Sequence, residues 1–269
     1  GSRFLDTFST YWPVDIDLYL VSEDMLALPD TTGRNVHYLT FVENAPAPVI
    51  DFYVRHAGNR MAKGQGGTAR NRGYMYDFRL DAWKFSKKVF AINLAMQRTE
   101  ASLLIWLDAD VVTLNAVPKS FLKTLPPDGY ALACLDRGKY HSECGFVSYN
   151  LQEPEAKDFI EEFQRLYTSD EVFTLPEWHD SYVFDWLRRR RGTRSYRIPH
   201  KGNSHPFVHS VLGQYMDHLK GNRKLGGRST DHPMHRQASA MERWYPKGKT
   251  VVMKKRLPVV KKFPKVPRR

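Results

Sequence analysis

Cysteine is nearly absent. Cys134 and Cys144 are the only two in the chain, too few for a disulfide framework or a cysteine-rich zinc site, which points to a reducing, cytoplasmic compartment and two inert buried thiols. Long apolar runs are missing as well: no stretch approaches the roughly 20 apolar residues that span a bilayer. The first residues lack the apolar core of a secretory leader, so neither a membrane span nor export is expected. The G-x-x-x-x-G-K-[ST] spacing of a phosphate-cradling loop does not occur. The stretch richest in glycine, Gly58 to Gly73, reads instead as a mobile loop carrying Arg60, Lys63, Arg70 and Arg72. Acidic residues vanish from one end of the chain. From Arg243 to Arg269 there are eleven Lys and Arg and no Asp or Glu, against a net charge of +12 for all 269 residues. The body is therefore nearly neutral, and the charge is a tail.

What remains is an ordinary globular composition, 42% hydrophobic, with strand and helix patterns in alternation. "VDIDLYLVSED" and "VHYLTFV" read as strands, and "APVIDFYVRHAG" as a short helix. "FRLDAWKFSKKVFAINLAMQ" has apolar residues at helical spacing and leads into the apolar run "LLIWL". After it come a short helix in "VPKSFLKTL", strands in "YALACL" and "CGFVSYN", and amphipathic helices in "EPEAKDFIEEFQRLYTS" and "HDSYVFDWLRRRR". The alternation predicts an α/β fold with a mainly parallel central sheet over residues 1–243. Proline and lysine then replace any periodicity, which predicts an extended basic arm over 244–269.

The run Leu103–Leu107 ends in two aspartates one residue apart, Asp108 and Asp110. Five successive apolar residues suit a strand covered on both faces, and open α/β sheets bind ligands at the carboxyl ends of such strands. Two carboxylates there are hard oxygen donors for a divalent cation; the plainer reading is a pair of surface acids opening a turn. A second constellation lies near the end of the periodic region, where His218, Gly221 and Lys224 form H-x-x-G-x-x-K. The histidine can complete a metal shell, the glycine admits close backbone approach, and the lysine can meet a diphosphate. By itself this motif also fits a helix end with Gly221 as its cap and a solvated Lys224. His205, His209, His232 and His235 are too irregularly spaced for a zinc site.

Together, the D-A-D strand end and the later H-x-x-G-x-x-K resemble the GT-A glycosyltransferases, nearest to family 8, the retaining galactosyl- and glucosyltransferases that include glycogenin-like enzymes. "ECGFVSYN" resembles the family's small-residue strand beside the sugar pocket, and "EWHDSYVFD" falls where the family keeps an aspartate facing donor sugar and acceptor. Leu225 and Gly226 replace the family's usual Pro-Trp, and His179-Asp180 its Gln-Asp pair. The resemblance implies a single Rossmann-like nucleotide-sugar transferase domain. Asp108, Asp110 and His218 would hold Mn²⁺ or Mg²⁺ on the diphosphate of a nucleotide sugar, a UDP-sugar in the first instance, with Gly221 and Lys224 at the phosphates. Arg79, Lys84 and Lys88 are candidates for donor phosphate or sugar, and Ser22 and Asp24 for the nucleoside. Asp180 would orient acceptor or sugar in a retaining reaction; in an inverting one, Asp180 or Glu143 could act as base.

The acceptor is indicated only by charge. The tail, the loop 58–73 and Arg188–Arg191 favour DNA, with hydroxymethylated bases like those of bacteriophages as the hydroxyl and a flipped base as the bound form; a viral protein would then work in the host cytoplasm. A peripheral enzyme on an anionic membrane, building lipopolysaccharide or another glycan, is the alternative. Two other classes compete. Asp108, Asp110, Glu143 and Asp180 could form a two-metal nuclease site, or the chain could bind nucleic acid without catalysis.

Overall fold

The computed structural model describes residues 2–23, 33–65, 67–68, 74–202, 204–221 and 223–233. The basic arm 244–269, Asp24 and much of the glycine-rich loop lie outside the described residues. A helix not expected from the sequence, α1 (Ser2–Tyr11), precedes β1 (Leu18–Ser22) and β2 (Val36–Thr40), the single turn α2 (Phe41–Asn44), and α3 (Ala47–His56). A two-residue ladder, β3 (Gly67–Thr68) with β4 (Tyr74–Met75), spans the glycine-rich stretch. Helix α4 (Ala82–Arg98) starts where Asp81 accepts the Lys84 N–H at 2.9 Å, an N-cap that fixes its first turn. Then follow β5 (Leu103–Leu107), β6 (Val111–Thr113), α5 (Lys119–Leu122), β7 (Leu132–Leu135), β8 (Glu143–Asn150), α6 (Pro154–Thr168) and α7 (Asp180–Arg191). The last elements are β9 (Ser195–Arg197), β10 (Met216–His218) and α8 (Arg223–Gly226).

The fold is α/β, but its largest sheet is mixed rather than mainly parallel. Its order is β5-β8-β7-β9, with β8 antiparallel to both β5 and β7, and only β7–β9 parallel. The cause is a short connection. Only residues 136–142 join β7 to β8, and a parallel crossover needs a dozen residues or more. β1 and β2 pair parallel as a separate ribbon, and β6 pairs antiparallel with β10.

The sheet is covered on both faces, which explains the continuous apolar runs. Leu132, Cys134, Val147 and Tyr149 face a cluster built from α3, α4, α6 and α7, while Ala133, Leu135 and Phe146 face a second one containing Phe8 of α1 and Trp12 just after it. On β5 the same alternation sends Leu104 and Trp106 to the first cluster and Leu103, Ile105 and Leu107 to the second. Neither β1 nor β5 has a partner on its other edge among the described residues. Between the two edges runs a cleft of about 450 Å³ that reaches Ala109 but is lined by neither flanking aspartate. No described helix is long and apolar enough to cross a membrane.

Candidate metal centre

β5 carries the chain out of the core, and Asp108 hangs on the last rung of its ladder, its N–H donating to Gly145 O at 3.0 Å. The chain turns through Ala109 and Asp110 and leaves as β6. Antiparallel pairing of β6 with β10 sets His218 opposite Val111, and Leu219 N–H donates to Asp110 O at 3.0 Å. This short ribbon brings a histidine 108 residues distant onto the aspartates. His218 therefore closes a strand, not a helix. Gly221 follows in a turn with φ of +62°, a left-handed backbone that favours glycine, and no atom within 4 Å of where its Cβ would stand. Lys224 sits in α8.

Asp108, Asp110 and His218 form one of two groups of His, Cys, Asp and Glu among the described residues whose ligand atoms could hold a metal ion. His218 Nε2 lies 3.0 Å from Asp110 Oδ1 and 3.7 Å from Asp108 Oδ2. An octahedral cation with bonds of about 2.1 Å separates adjacent donors by about 3.0 Å, so small shifts suffice to seat one. Two carboxylates and an imidazole suit Mn²⁺, and suit Mg²⁺ less because of the nitrogen. On the outer side, Lys224 Nζ is 2.9 Å from Asp110 Oδ2 and is 58% exposed, free to swing to a ligand.

The charges around the triad are tightly coupled. Burial alone would lower the His218 pKa, but the hydrogen bond to Asp110 and the nearby Glu143 and Asp108 carboxylates raise it to about 9. Burial would raise Asp110, yet His218 and Lys224 hold its carboxyl well below the usual range. Glu143, expected as a possible base, is buried and turned inward. Its Oε1 meets His218 Nδ1 at 3.2 Å as an ion-pair contact rather than an aligned hydrogen bond, and Lys220 lies 3.6 Å from Oε2. A carboxylate behind a metal-binding imidazole fixes its tautomer and orientation. Despite its burial, Glu143 is held ionised by His218, Lys220 and Lys88.

Lys88, expected at the donor phosphates, is largely buried, its side chain 15% exposed. Its ammonium lies 2.7 Å from Asp108 Oδ1 and 2.6 Å from Asp180 Oδ2, and donates to Cys144 O at 3.0 Å. Burial opposes its charge, but Asp108 and Asp180 more than compensate and raise its pKa well above that of a free lysine. Asp180, at the N-terminus of α7, is thereby joined to the metal triad through one cation. Trp106 Nε1 donates to Asp108 Oδ1 at 2.7 Å, completing that carboxylate's surroundings.

The remaining expected residues are not drawn to the triad. Arg79 Nη2 pairs with Asp77 at 2.7 Å, and its carbonyl accepts the Trp178 N–H. The Lys84 ammonium lies over the Phe85 ring, 5.4 Å from its centroid. Ser22 closes β1 opposite Thr40. The second metal-capable group is His141, Glu177 and His179. Both Nε2 atoms meet Glu177 Oε2, at 3.3 and 2.8 Å, and His179 Nδ1 accepts the Tyr182 N–H as the α7 cap. With Nδ1 accepting, the His179 proton sits on Nε2, so the group is satisfied without an ion. His205 and His209 share Asp231, at 3.1 and 3.2 Å.

Sequence reasoning missed the part played by Gly145. A Cβ there would lie 2.5 Å from both Cε1 and Nδ1 of His218, so the imidazole occupies the space of the missing side chain. The signal was a glycine inside an otherwise bulky strand, which marks close approach of another group. No protein-family model and no curated protein matches this chain.

Proposed function

We propose that the protein is a metal-dependent glycosyltransferase that moves a hexose or pentose from a nucleotide sugar, a UDP-sugar in the first instance, to a hydroxyl acceptor with retention, on a Rossmann-like GT-A scaffold. The observation that carries the reading is the convergence of Asp108, Asp110, His218 and Lys224 from two distant segments on one strand end. When bound, a divalent cation supplies charge neutralisation to the leaving diphosphate. Lys224 adds a mobile ammonium on the same side, where negative charge grows as the sugar–phosphate bond breaks. The surrounding charge fits an anionic ligand. Asp108, Asp110, Glu143 and Asp180 are balanced by Lys88, Lys220, Lys224 and the protonated His218. Exchanging that proton for a dication leaves the cluster net positive.

Retention is favoured by the state of the two acids near the site. Asp180 and Glu143 are each held ionised by buried or neighbouring cations and turned to Lys88 and His218. Neither is poised as a base, so the acceptor proton passes to the leaving phosphate oxygen. The same contacts count against a two-metal nuclease, because the Lys88 ammonium fills the space between Asp108 and Asp180 that a second cation would need. The acceptor is proposed as a hydroxymethylated base in DNA, on the strength of the net charge of +12; a glycan or lipid acceptor on an anionic membrane is the alternative. The test is incubation with a panel of nucleotide sugars and Mn²⁺, with and without hydroxymethylated DNA, read by mass spectrometry. Asp108→Asn and Asp110→Asn should abolish both transfer and donor hydrolysis while keeping the fold. Lys224→Ala should slow the chemical step about 10²-fold. Full activity of either aspartate variant, or in excess chelator, refutes the metal assignment.

A further inference from the structure

The four consecutive arginines at the end of α7 read as one basic run, but the fold separates them. Arg188 turns inward and is buried, its Nη2 on Asp136 at 2.8 Å and on Asp185 at 3.0 Å. Arg191 faces α6 and lies 3.4 Å from Asp158. Arg189 and Arg190 are left for a third face, where they line a groove of about 370 Å³ with His141, Tyr182, Trp186 and the edge of Asp185. Positions 182, 186, 189 and 190 share one helix face by their spacing. The floor of the groove is electrically quiet, because the Asp185 carboxylate accepts from Ser142 N and Oγ, both at 2.7 Å, and from Arg188. The Arg189 guanidinium is 60% exposed and only 3.8 Å from Asp185 at its nearest. Arg190 lies over the Trp186 ring, 4.8 Å from its centroid. His141 stands edge-on to Tyr182 with centroids 5.4 Å apart.

The groove adjoins the metal centre. Asp180, paired with Lys88, opens the helix that carries the groove, and Trp186 lies six residues on, a rise of about 9 Å. Half-buried aromatic rings alternating with exposed guanidinium groups that are only loosely engaged, Arg189 at the limit of an ion pair with Asp185 and Arg190 on the Trp186 ring, are what a single nucleic-acid strand needs: rings to stack bases and cations to follow phosphates. A neutral glycan gives the arginines nothing to pair with.

We propose that this groove on α7 binds the single-stranded stretch of nucleic acid next to the acceptor nucleotide, with bases on Tyr182 and on the Trp186 face that Arg190 vacates as it turns to phosphate, and two phosphates on Arg189 and Arg190. This rests on the transferase reading for what happens at the neighbouring centre, but binding can be measured without turnover.

The experiment is fluorescence anisotropy of a labelled oligothymidylate of about 12 nucleotides, within the site sizes such grooves cover, titrated with the full chain across a salt series. Arg189→Gln/Arg190→Gln should lower the slope of log affinity against log salt by about 1.4, the value for two phosphates on a single strand. Trp186→Ala should weaken binding about fivefold to a hundredfold, as loss of one stacking platform does. Lys157→Gln/Arg165→Gln, at two exposed positions of α6, removes equal charge from a neighbouring surface outside the groove and should leave the slope unchanged. Equal effects of the two double variants, or wild-type affinity of Trp186→Ala, would overturn the assignment. So would parallel losses for a heparin oligosaccharide, which would make the surface a general polyanion site. Donor hydrolysis by the unaltered protein is followed alongside. Its absence removes the transferase reading and leaves the oligonucleotide data to decide the groove.

Discussion

Replacing Gly145 by alanine inserts one methyl group between the sheet and the His218 imidazole of the candidate metal centre. The new Cβ would stand 2.5 Å from Cε1 and Nδ1 of His218, about 0.9 Å short of an ordinary 3.4 Å contact. Strand β8 is held on the β5 side, where the Asp108 N–H donates to Gly145 O at 3.0 Å, so a shift of the strand would carry Asp108 with it, although the β7–β8 register breaks across Gly145. The ring must therefore move, and it is boxed in by Glu143 at 3.2 Å on one nitrogen and Asp110 at 3.0 Å on the other. A displacement approaching 1 Å breaks the alignment of Nε2 with the two carboxylates. Loss of a metal ligand's orientation typically costs tenfold to a hundredfold in affinity, and misplacement of this size costs catalysis about 10²-fold. Mn²⁺ binding followed by electron paramagnetic resonance, beside the thermal melt, separates the site from the fold. Gly145→Ala should bind Mn²⁺ at least tenfold more weakly, and its donor hydrolysis should fall with it. Gly221→Ala, which strains a left-handed backbone but meets no neighbour, serves as the comparison and should cost stability of about 1 kcal/mol with little loss of Mn²⁺ affinity. Wild-type Mn²⁺ affinity in Gly145→Ala would refute the argument that the ring occupies the glycine's space.

Lys88→Met should destabilise the protein by about 3–5 kcal/mol in denaturant titration, since it leaves Asp108 and the buried Asp180 facing one another without their shared cation; a loss below about 1 kcal/mol would mean that the pair is neutralised elsewhere. Metal affinity should rise with pH. His218 holds its proton up to about pH 9 in the metal-free protein, a cation must displace it, and affinity should fall by up to tenfold per unit below that pH. Calorimetry in two buffers of different ionisation enthalpy reads the released proton, and pH-independent binding between 6 and 8 would show that His218 is not a ligand. Removing Trp244–Arg269 should leave donor hydrolysis nearly unchanged, because the described triad precedes it, while DNA affinity and its salt slope both fall. Identical slopes with and without the arm would take away its part in recruitment.

The strand end that carries Asp108 and Asp110 was legible because packing against clusters on two faces favours an unbroken apolar run, and two charges closing such a run stand out. Helices α4, α6 and α7 were legible from apolar spacing. The mixed sheet was not, although the length of the 136–142 link carried the information. His218 could be named from its motif, but its delivery by a β6–β10 ribbon left no local trace, since three-residue strands are too short for periodicity to register. Lys88 illustrates the same limit for charge. Beside Lys84 and Lys87 in the sequence it reads as one more solvated lysine, and only the packing of α4 against Cys144 and Asp180 makes it a largely buried counter-ion.

The distance along the chain between Asp110 and His218 bears on how the protein is made. A ligand pair 108 residues apart closes one of the longest loops in the molecule. During synthesis the aspartates leave the ribosome well before their histidine, at an elongation rate of about 5–20 residues per second. In that interval the nascent chain holds two carboxylates and a lysine at the strand end, but no imidazole. On the proposed reading, cation capture would wait until α6, α7 and the β7–β8 hairpin have all emerged, and a chain cut short before β10 carries the acidic motif without its histidine.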